Sequence, residues 1–193
     1  MSTAEPTPAP TLPATILQTE RLTLRAFTEA EVDSVYEAVR DPGIQRWLPL
    51  PGPGEPYTRA DAEQWCLTTA PEARVSGDGQ QWAAIDRGTD RFVGSFGLTR
   101  TMWPAMRTEV GYWVAPWMRG QGFAPEAVTA VSRWAIDQGF QRVELKAAAA
   151  NTASRRVAEK TGFRFEGVER NAMPLHEGRT GLAVYSLIPD DLG

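Results

Sequence analysis

Arg119-Gly120-Gln121-Gly122-Phe123-Ala124 joins a strand-like run, Glu109-Val110-Gly111-Tyr112-Trp113-Val114, to a helix-like run from Pro125 to Gln138. A strand that feeds a glycine-rich turn and then a helix N-terminus makes a place for phosphate. Gly120 and Gly122 let the backbone approach a ligand closely, the first-turn N–H groups have no partners within the helix, and the helix dipole favours negative charge there. Arg119 brings a guanidinium suited to a phosphate, although the six residues alone also fit an ordinary turn with a solvated arginine. Gly120-Gln121-Gly122 begins a dinucleotide-type Gly-x-Gly-x-x-Gly, but its third position is Pro125, and the turn follows a hairpin rather than the first strand of a βαβ repeat. Glu144 lies near the spacing of a ribose-binding acid, so a nucleotide-dependent oxidoreductase stays open.

The flanking chain reads as one mixed α/β domain. Arg21 to Phe27 alternates like a strand. Thr28-Glu29-Ala30-Glu31 forms a capping box, and Val32, Val35, Tyr36 and Val39 follow at helical spacing until Asp41-Pro42-Gly43 ends the run. Thr58-Arg59-Ala60-Asp61 is a second capping box, opening a helix to about Ala73. Gln80 to Asp86 and Arg91 to Arg100 form a hairpin about an Asp86–Asp90 turn, and Thr108 to Ala115 leads to the glycine turn. A helix over Ala124–Gln138, a strand over Arg142–Ala147 and a short helix capped by Asn151 follow. Phe163 to Asn171 and Thr180 to Leu187 close the chain as a strand pair. The expected order is β-α-α-β-β-β-α-β-α-β-β. Residues 1–15, with prolines at 6, 8, 10 and 13, read as a flexible tail, and residues 16–193 as the domain.

With 42% hydrophobic and 23% charged residues over 193 positions, the chain can bury one substantial core. A net charge of -4 argues against a nucleic-acid partner, which needs a basic face. No apolar run reaches membrane-spanning length, and Met1 to Thr15 lacks a signal-peptide pattern. One cysteine, Cys66, excludes an internal disulfide and suits a reducing cytoplasm; no metal is expected.

A second constellation follows the strand at Arg142–Ala147: Asn151-x-x-Ser154, then Lys160-x-Gly162-Phe163. Asn151 caps a helix, and its amide can also pair with an amide-bearing ligand. Together with Arg119-x-x-Gly122-x-Ala124, in this order, these residues resemble the GNAT (Gcn5-related) N-acetyltransferases over about Thr19 to Pro189. The opening Thr19 to Arg25 and the closing Val184 to Ile188 resemble its RimJ/RimL-like branch, which acetylates ribosomal-protein N-terminal amines.

The resemblance implies an acyl-CoA N-acyltransferase fold: a central, mostly antiparallel sheet with flanking helices and a splayed pair of strands, the family's fourth and fifth. It implies acetyl-CoA as cofactor, with pyrophosphate on the N–H groups of Arg119, Gly120, Gln121, Gly122, Phe123 and Ala124. The pantetheine arm would run beside Trp113 and Val114, with an N–H near Val114 polarising the thioester carbonyl. Asn151 would bond that arm, and Arg156, Arg155 or Lys160 would reach the outer phosphates unless they are simply solvated. Many family members carry a tyrosine where this chain has Ala158; the ribosomal-protein branch uses a serine matching Ser154, here the general acid or a plain helix-start residue.

Glu109 is the base of first choice, or an edge-strand charge; Glu144 and the lone histidine, His176, are the others. Trp47, Tyr57, Trp103 and His176 would line the acceptor pocket. Branch relatives often have an aspartate where this chain has Gly181. The expected activity is acetylation of a primary amine, on a small molecule or a peptide N-terminus, by a monomer or homodimer. A non-catalytic acyl-CoA-binding module is the alternative.

Overall fold

The computed structural model describes residues 10–192. Its strands are β1 (Leu17–Gln18), β2 (Leu22–Arg25), β3 (Gln80–Asp86), β4 (Phe92–Met102), β5 (Arg107–Val114), β6 (Arg142–Ala148), β7 (Arg164–Leu175) and β8 (Gly178–Leu187). They form one eight-stranded sheet in the order β1-β2-β3-β4-β5-β6-β8-β7. Every neighbouring pair is antiparallel except β5 and β6. A parallel pair needs a long crossover. Helix α5 (Phe123–Asp137) makes it, packing across β4, β5 and β6.

The two faces carry separate cores. Under α5, Val128, Val131 and Ala135 meet Trp82, Phe96, Leu98, Val110, Leu145 and Tyr185. Helix α6 (Thr152–Lys160) borders the same face through Val157 and Ala158. On the opposite face α1 (Val32–Val39), α2 (Pro42–Gln45), α3 (Arg59–Gln64) and α4 (Ala70–Val75) lie over Ala83, Ile85 and Phe92. Period-2 alternation in the strands divides the side chains between the two cores.

Both capping boxes form: Thr28 with Glu31, and Thr58 with Asp61. Glu31 is buried and also ion-paired to Arg25 at 2.7 Å, which together with Thr28 holds its carboxyl below the ordinary range despite burial. The local detail departs from expectation in several places. Asp41-Pro42 does not end the helical region. The Asp41 side chain accepts from Ile44 N–H and Pro42 stands in the first turn, so the pair starts α2. The helix after Thr58 runs through a π turn, Trp65–Thr69, before Pro71. A proline there cannot donate to the preceding turn, and the wider turn accommodates it.

The closing hairpin is longer than expected, with His176-Glu177 as a tight turn rather than part of a long loop. The flexible-tail expectation is corrected for residues 10–15; residues 1–9 lie outside the described residues. Leu12 is buried in the main core, and Trp82 Nε1 donates to Thr15 O at 2.8 Å.

Candidate functional site

Strands β5 and β6 pair only at Arg107↔Arg142, Thr108↔Val143 and Glu109↔Glu144. Beyond Glu109 they part. β5 stays paired to β4 through Val114, and β6 stays paired to β8 through Ala148. The facing edges of Val110–Val114 and Leu145–Ala148 therefore form a fork inside the sheet, with backbone groups open to an extended, amide-bearing ligand. Because the two strands are parallel, the turns after both lie at the mouth of the fork: Ala115–Gly122 before α5, and Ala149–Asn151 before α6. Two helix N-termini thus face one opening.

The glycine turn has the backbone its sequence calls for. Gly120 and Gly122 adopt φ of 75° and 82°, where other residues are strained. Among the described residues, nothing accepts from the N–H groups of Gly120, Gln121, Gly122, Phe123 and Ala124. Open space lies where a Cβ would stand at Gly120. Donors left open in an uncluttered cradle are what a diphosphate requires. The residues present therefore fit coenzyme A.

Arg119 is corrected. Its guanidinium does not stand free for phosphate but pairs with Asp41 at 2.5 Å, tying the turn to α2. The anchor that sequence reasoning missed is Arg21. It donates to Gln121 O at 2.9 Å, pairs with Glu126 at 2.6 Å and lies 4.6 Å over the Phe123 ring. Thr19 Oγ1 donates to the same carboxylate at 2.5 Å. The Glu126 charge near the helix N-terminus is thereby neutralised, which leaves the cradle to an outside anion. A link spanning about a hundred positions leaves no local signal.

Along β5 the side chains split between the faces. Val110, Tyr112 and Val114 join the α5 side, whereas Trp113 packs on Phe92 of the other side at 5.7 Å. Glu109 and Gly111 share the Trp113 face by alternation. Glu109 stands where the fork closes, its side chain 15% exposed and 3.3 Å from Arg100. Burial pushes its carboxyl above the usual range, and the attraction of Arg100 and Lys146 only partly offsets this. Glu144, opposite, is engaged by Arg142 at 2.8 Å, Arg107 at 3.6 Å and Lys146 at 3.8 Å.

Asn151 caps α6, its Oδ1 accepting from Ser154 N–H at 3.1 Å, which leaves its amide NH₂ for a ligand. Ser154 Oγ accepts from Tyr112 Oη at 3.1 Å, a partner that the sequence did not reveal. Burial pushes the Tyr112 phenol up to about 12, so it keeps its proton and stays a donor. With that lone pair of Ser154 filled, the serine's own hydrogen points elsewhere. Arg156 is exposed and, among the described residues, without an acidic partner; Arg155 donates to Tyr185 Oη at 3.0 Å instead.

The expected acceptor pocket does not assemble as one aromatic group. Trp103 lies with the α5-side core, 5.6 Å from Phe140, its Nε1 donating to Gly77 O. Tyr57 packs on the opposite core, where burial raises its phenol, and Trp47 lies under Arg46 at 4.8 Å. His176 ties the closing hairpin to the segment around α2. Its Nδ1 accepts from Gly54 N–H at 3.0 Å, and Nε2 meets Gln45 Oε1 at 2.6 Å. Cys66 is buried and its thiol pushed up to about 12, which removes it as a nucleophile. At Gly181 a Cβ would come within 2.9 Å of Glu169 O and Val168, so the chain has no room there for an aspartate.

Comparison with known proteins gives consistent matches. Residues 21–164 match the model of the acetyltransferase (GNAT) domain. The chain is 26% identical over 174 residues to the uncharacterized N-acetyltransferase YoaA of Bacillus subtilis (strain 168), covering 90% of this chain and 96% of that one. A GCN5-related N-acetyltransferase from Brucella melitensis superposes with a TM-score of 0.77 at 26% identity, over 96% of this chain and 83% of the other. The RimL ribosomal L7/L12 alpha-N-protein acetyltransferase, solved with coenzyme A, superposes with a TM-score of 0.81 at 20% identity, over 92% and 99%.

Proposed function

The chain belongs to the GNAT acetyltransferase family and is an acetyl-CoA-dependent N-acetyltransferase; on that premise we propose which residues carry the transfer to a primary amine. The cofactor supplies a thioester, an acyl group already activated toward amines. The open N–H groups from Gly120 to Ala124 hold its diphosphate, and the unpaired edge of β5 at Trp113 and Val114, with the Asn151 amide, holds the pantetheine arm. The Arg156 side chain reaches the outer phosphate. A backbone N–H near Val114 donates to the carbonyl oxygen as negative charge builds there.

Glu109 accepts the proton that the neutral acceptor amine gives up as it attacks the thioester. A carboxyl pushed up by burial is better matched to this task than an ordinary one. Ser154, held by Tyr112, returns a proton to the departing sulfur. The attack is direct, with no acyl-enzyme. The single observation that carries the reading is the fork itself, closed by Glu109 and opening onto unpaired turn donors. We place the acceptor among α-amino groups of peptides first, since their pKa of about 7.7–8.0 is far below the 10.4 or so of a lysine side chain. The coenzyme A complex of the L7/L12 alpha-N-protein enzyme supports this choice and a RimJ/RimL-like branch. No described helix is long and apolar enough to cross a membrane, and a free cysteine suits a reducing cytoplasm.

The test is thiol release from acetyl-CoA against peptides with free N-termini and small amines. Thiol release with none of them would favour an acyl-CoA-binding module, and NADH binding without coenzyme A binding an oxidoreductase. Ser154→Ala is expected to lower kcat by roughly 10²-fold while coenzyme A affinity changes less than about threefold. Tyr112→Phe should cost about three- to tenfold, the worth of one orienting hydrogen bond. An unchanged kcat in Ser154→Ala would sink the serine's role.

A further inference from the structure

Gly111 is a glycine that the fold does not require. It lies inside β5, opposite Gly97 of β4, in ordinary extended backbone. The two glycines of this cross-strand pair differ in one respect. A Cβ on Gly97 would meet the Gln81 amide at 2.0 Å, so that side chain would have to swing away from Leu98 O, to which it donates. A Cβ on Gly111 would meet nothing within 4 Å. Gly111 is also exposed in the middle of an eight-stranded sheet, because β6 has already diverged. Glycine weakens a strand interior, and where neither φ nor crowding demands it, it marks close approach of something else.

That face is the one shared by Glu109 and Trp113, one strand repeat to either side. We propose that the notch over Gly111 is the acceptor's entry. The amine-bearing carbon of the primary amine crosses the sheet there, and the missing side chain sets how bulky that carbon can be. This inference rests on the reading of Glu109 as base and of the fork as the cofactor groove. Gly111 is a specificity-determining residue, whereas Gly97 leaves room for the Gln81 amide.

The experiment compares Gly111→Ala and Gly111→Val with the wild-type protein, using two probes that need no known acceptor. One is coenzyme A. The other is coenzyme A joined through a sulfur-linked acetyl bridge to glycinamide, whose amide must project onto the acceptor face. Gly111→Ala is expected to raise Tm by about 1–4 °C, since a strand glycine is replaced where space exists. Calorimetry should find coenzyme A affinity unchanged in both variants. Affinity for the bridged probe should fall about threefold in Gly111→Ala and at least tenfold in Gly111→Val.

Equal binding of the bridged probe by wild type and Gly111→Val would overturn the proposal. So would a parallel loss of coenzyme A, which would assign the notch to the cofactor. A lower Tm in Gly111→Ala would show that the fold itself needs the glycine, and would overturn it too. If wild type bound the bridged probe more weakly than coenzyme A, the direct-attack reading would fail instead, which keeps the two failures apart.

Discussion

Replacing Gly122 with glutamate is expected to abolish acetyl-CoA binding, with at least a 100-fold loss of affinity, about 2.7 kcal/mol. Two effects combine. Gly122 precedes α5 at φ 82°, a left-handed conformation that costs a non-glycine residue roughly 1–2 kcal/mol. The new carboxylate would also sit among the open N–H groups of Gly120 to Ala124 and near Arg21, whose Nη2 lies 3.5 Å from the Cβ position. It would occupy the anion cradle from within and repel a diphosphate. The attraction to the helix N-terminus partly offsets the backbone strain, so the fold should persist. Gly122→Ala separates the two effects, carrying the backbone cost without the charge, and should weaken binding by about tenfold or less. Calorimetric titration with coenzyme A, beside a melting curve, reads both. Tight binding by a folded Gly122→Glu protein would remove the diphosphate from this turn.

That turn was legible in the sequence because everything it needs is local. Strand alternation, two glycines and a helix start lie within about thirty consecutive positions, and hydrophobic periodicity reports such elements directly. The capping boxes at Thr28 and Thr58 were legible for the same reason. Membership of the GNAT family agrees with the residue patterns that suggested it, and the mostly antiparallel sheet with the fold that the resemblance implied. The fork was not legible from spacing. It arises because β6 follows β8 rather than β5 beyond Glu144, a choice made in the tertiary pairing.

Long-range partners are what the sequence leaves out. Arg119 was given its role from its place at the glycine turn, and His176 and Trp103 theirs from the fold that the resemblance implied; each has a distant partner: Asp41, Gln45 with Gly54, and Gly77. Conversely, Arg21 and Tyr112 looked like strand residues and prove to position the cradle and Ser154. Asp41-Pro42 was misread because the same dipeptide ends one helix and begins another, and only the Asp41 hydrogen bond to Ile44 N–H decides between them.

Replacing Glu109 with glutamine should lower kcat by about 10²- to 10⁴-fold, the usual worth of a positioned acid–base group. Acetyl-CoA affinity should stay near wild type, because Glu109 lies at the closed end of the fork, away from the turn donors. Burial raises the Glu109 pKa in the folded state above its unfolded value. The fold therefore favours the protonated form; this contribution to stability is present at low pH and is lost as pH rises through the raised folded value. Glutamine mimics the protonated form at every pH. The variant should thus be at least as stable as wild type at pH 8 and no different in strong acid. The lost ion pair subtracts little, since Arg100 is 69% exposed.

The pH profile carries the sharper signature. Wild-type kcat/KM should fall in acid with two limbs: one from Glu109, set above ordinary carboxylates, and one from the acceptor amine, near 7.7–8.0 or so for an α-amino group. In Glu109→Gln only the amine limb should survive. Glu144 cannot readily substitute, because Arg142, Arg107 and Lys146 hold its carboxylate in ion pairs. A Glu109→Gln enzyme within about threefold of wild-type kcat, with both limbs intact, would mean that Glu109 is not the base and that the proton leaves by another route.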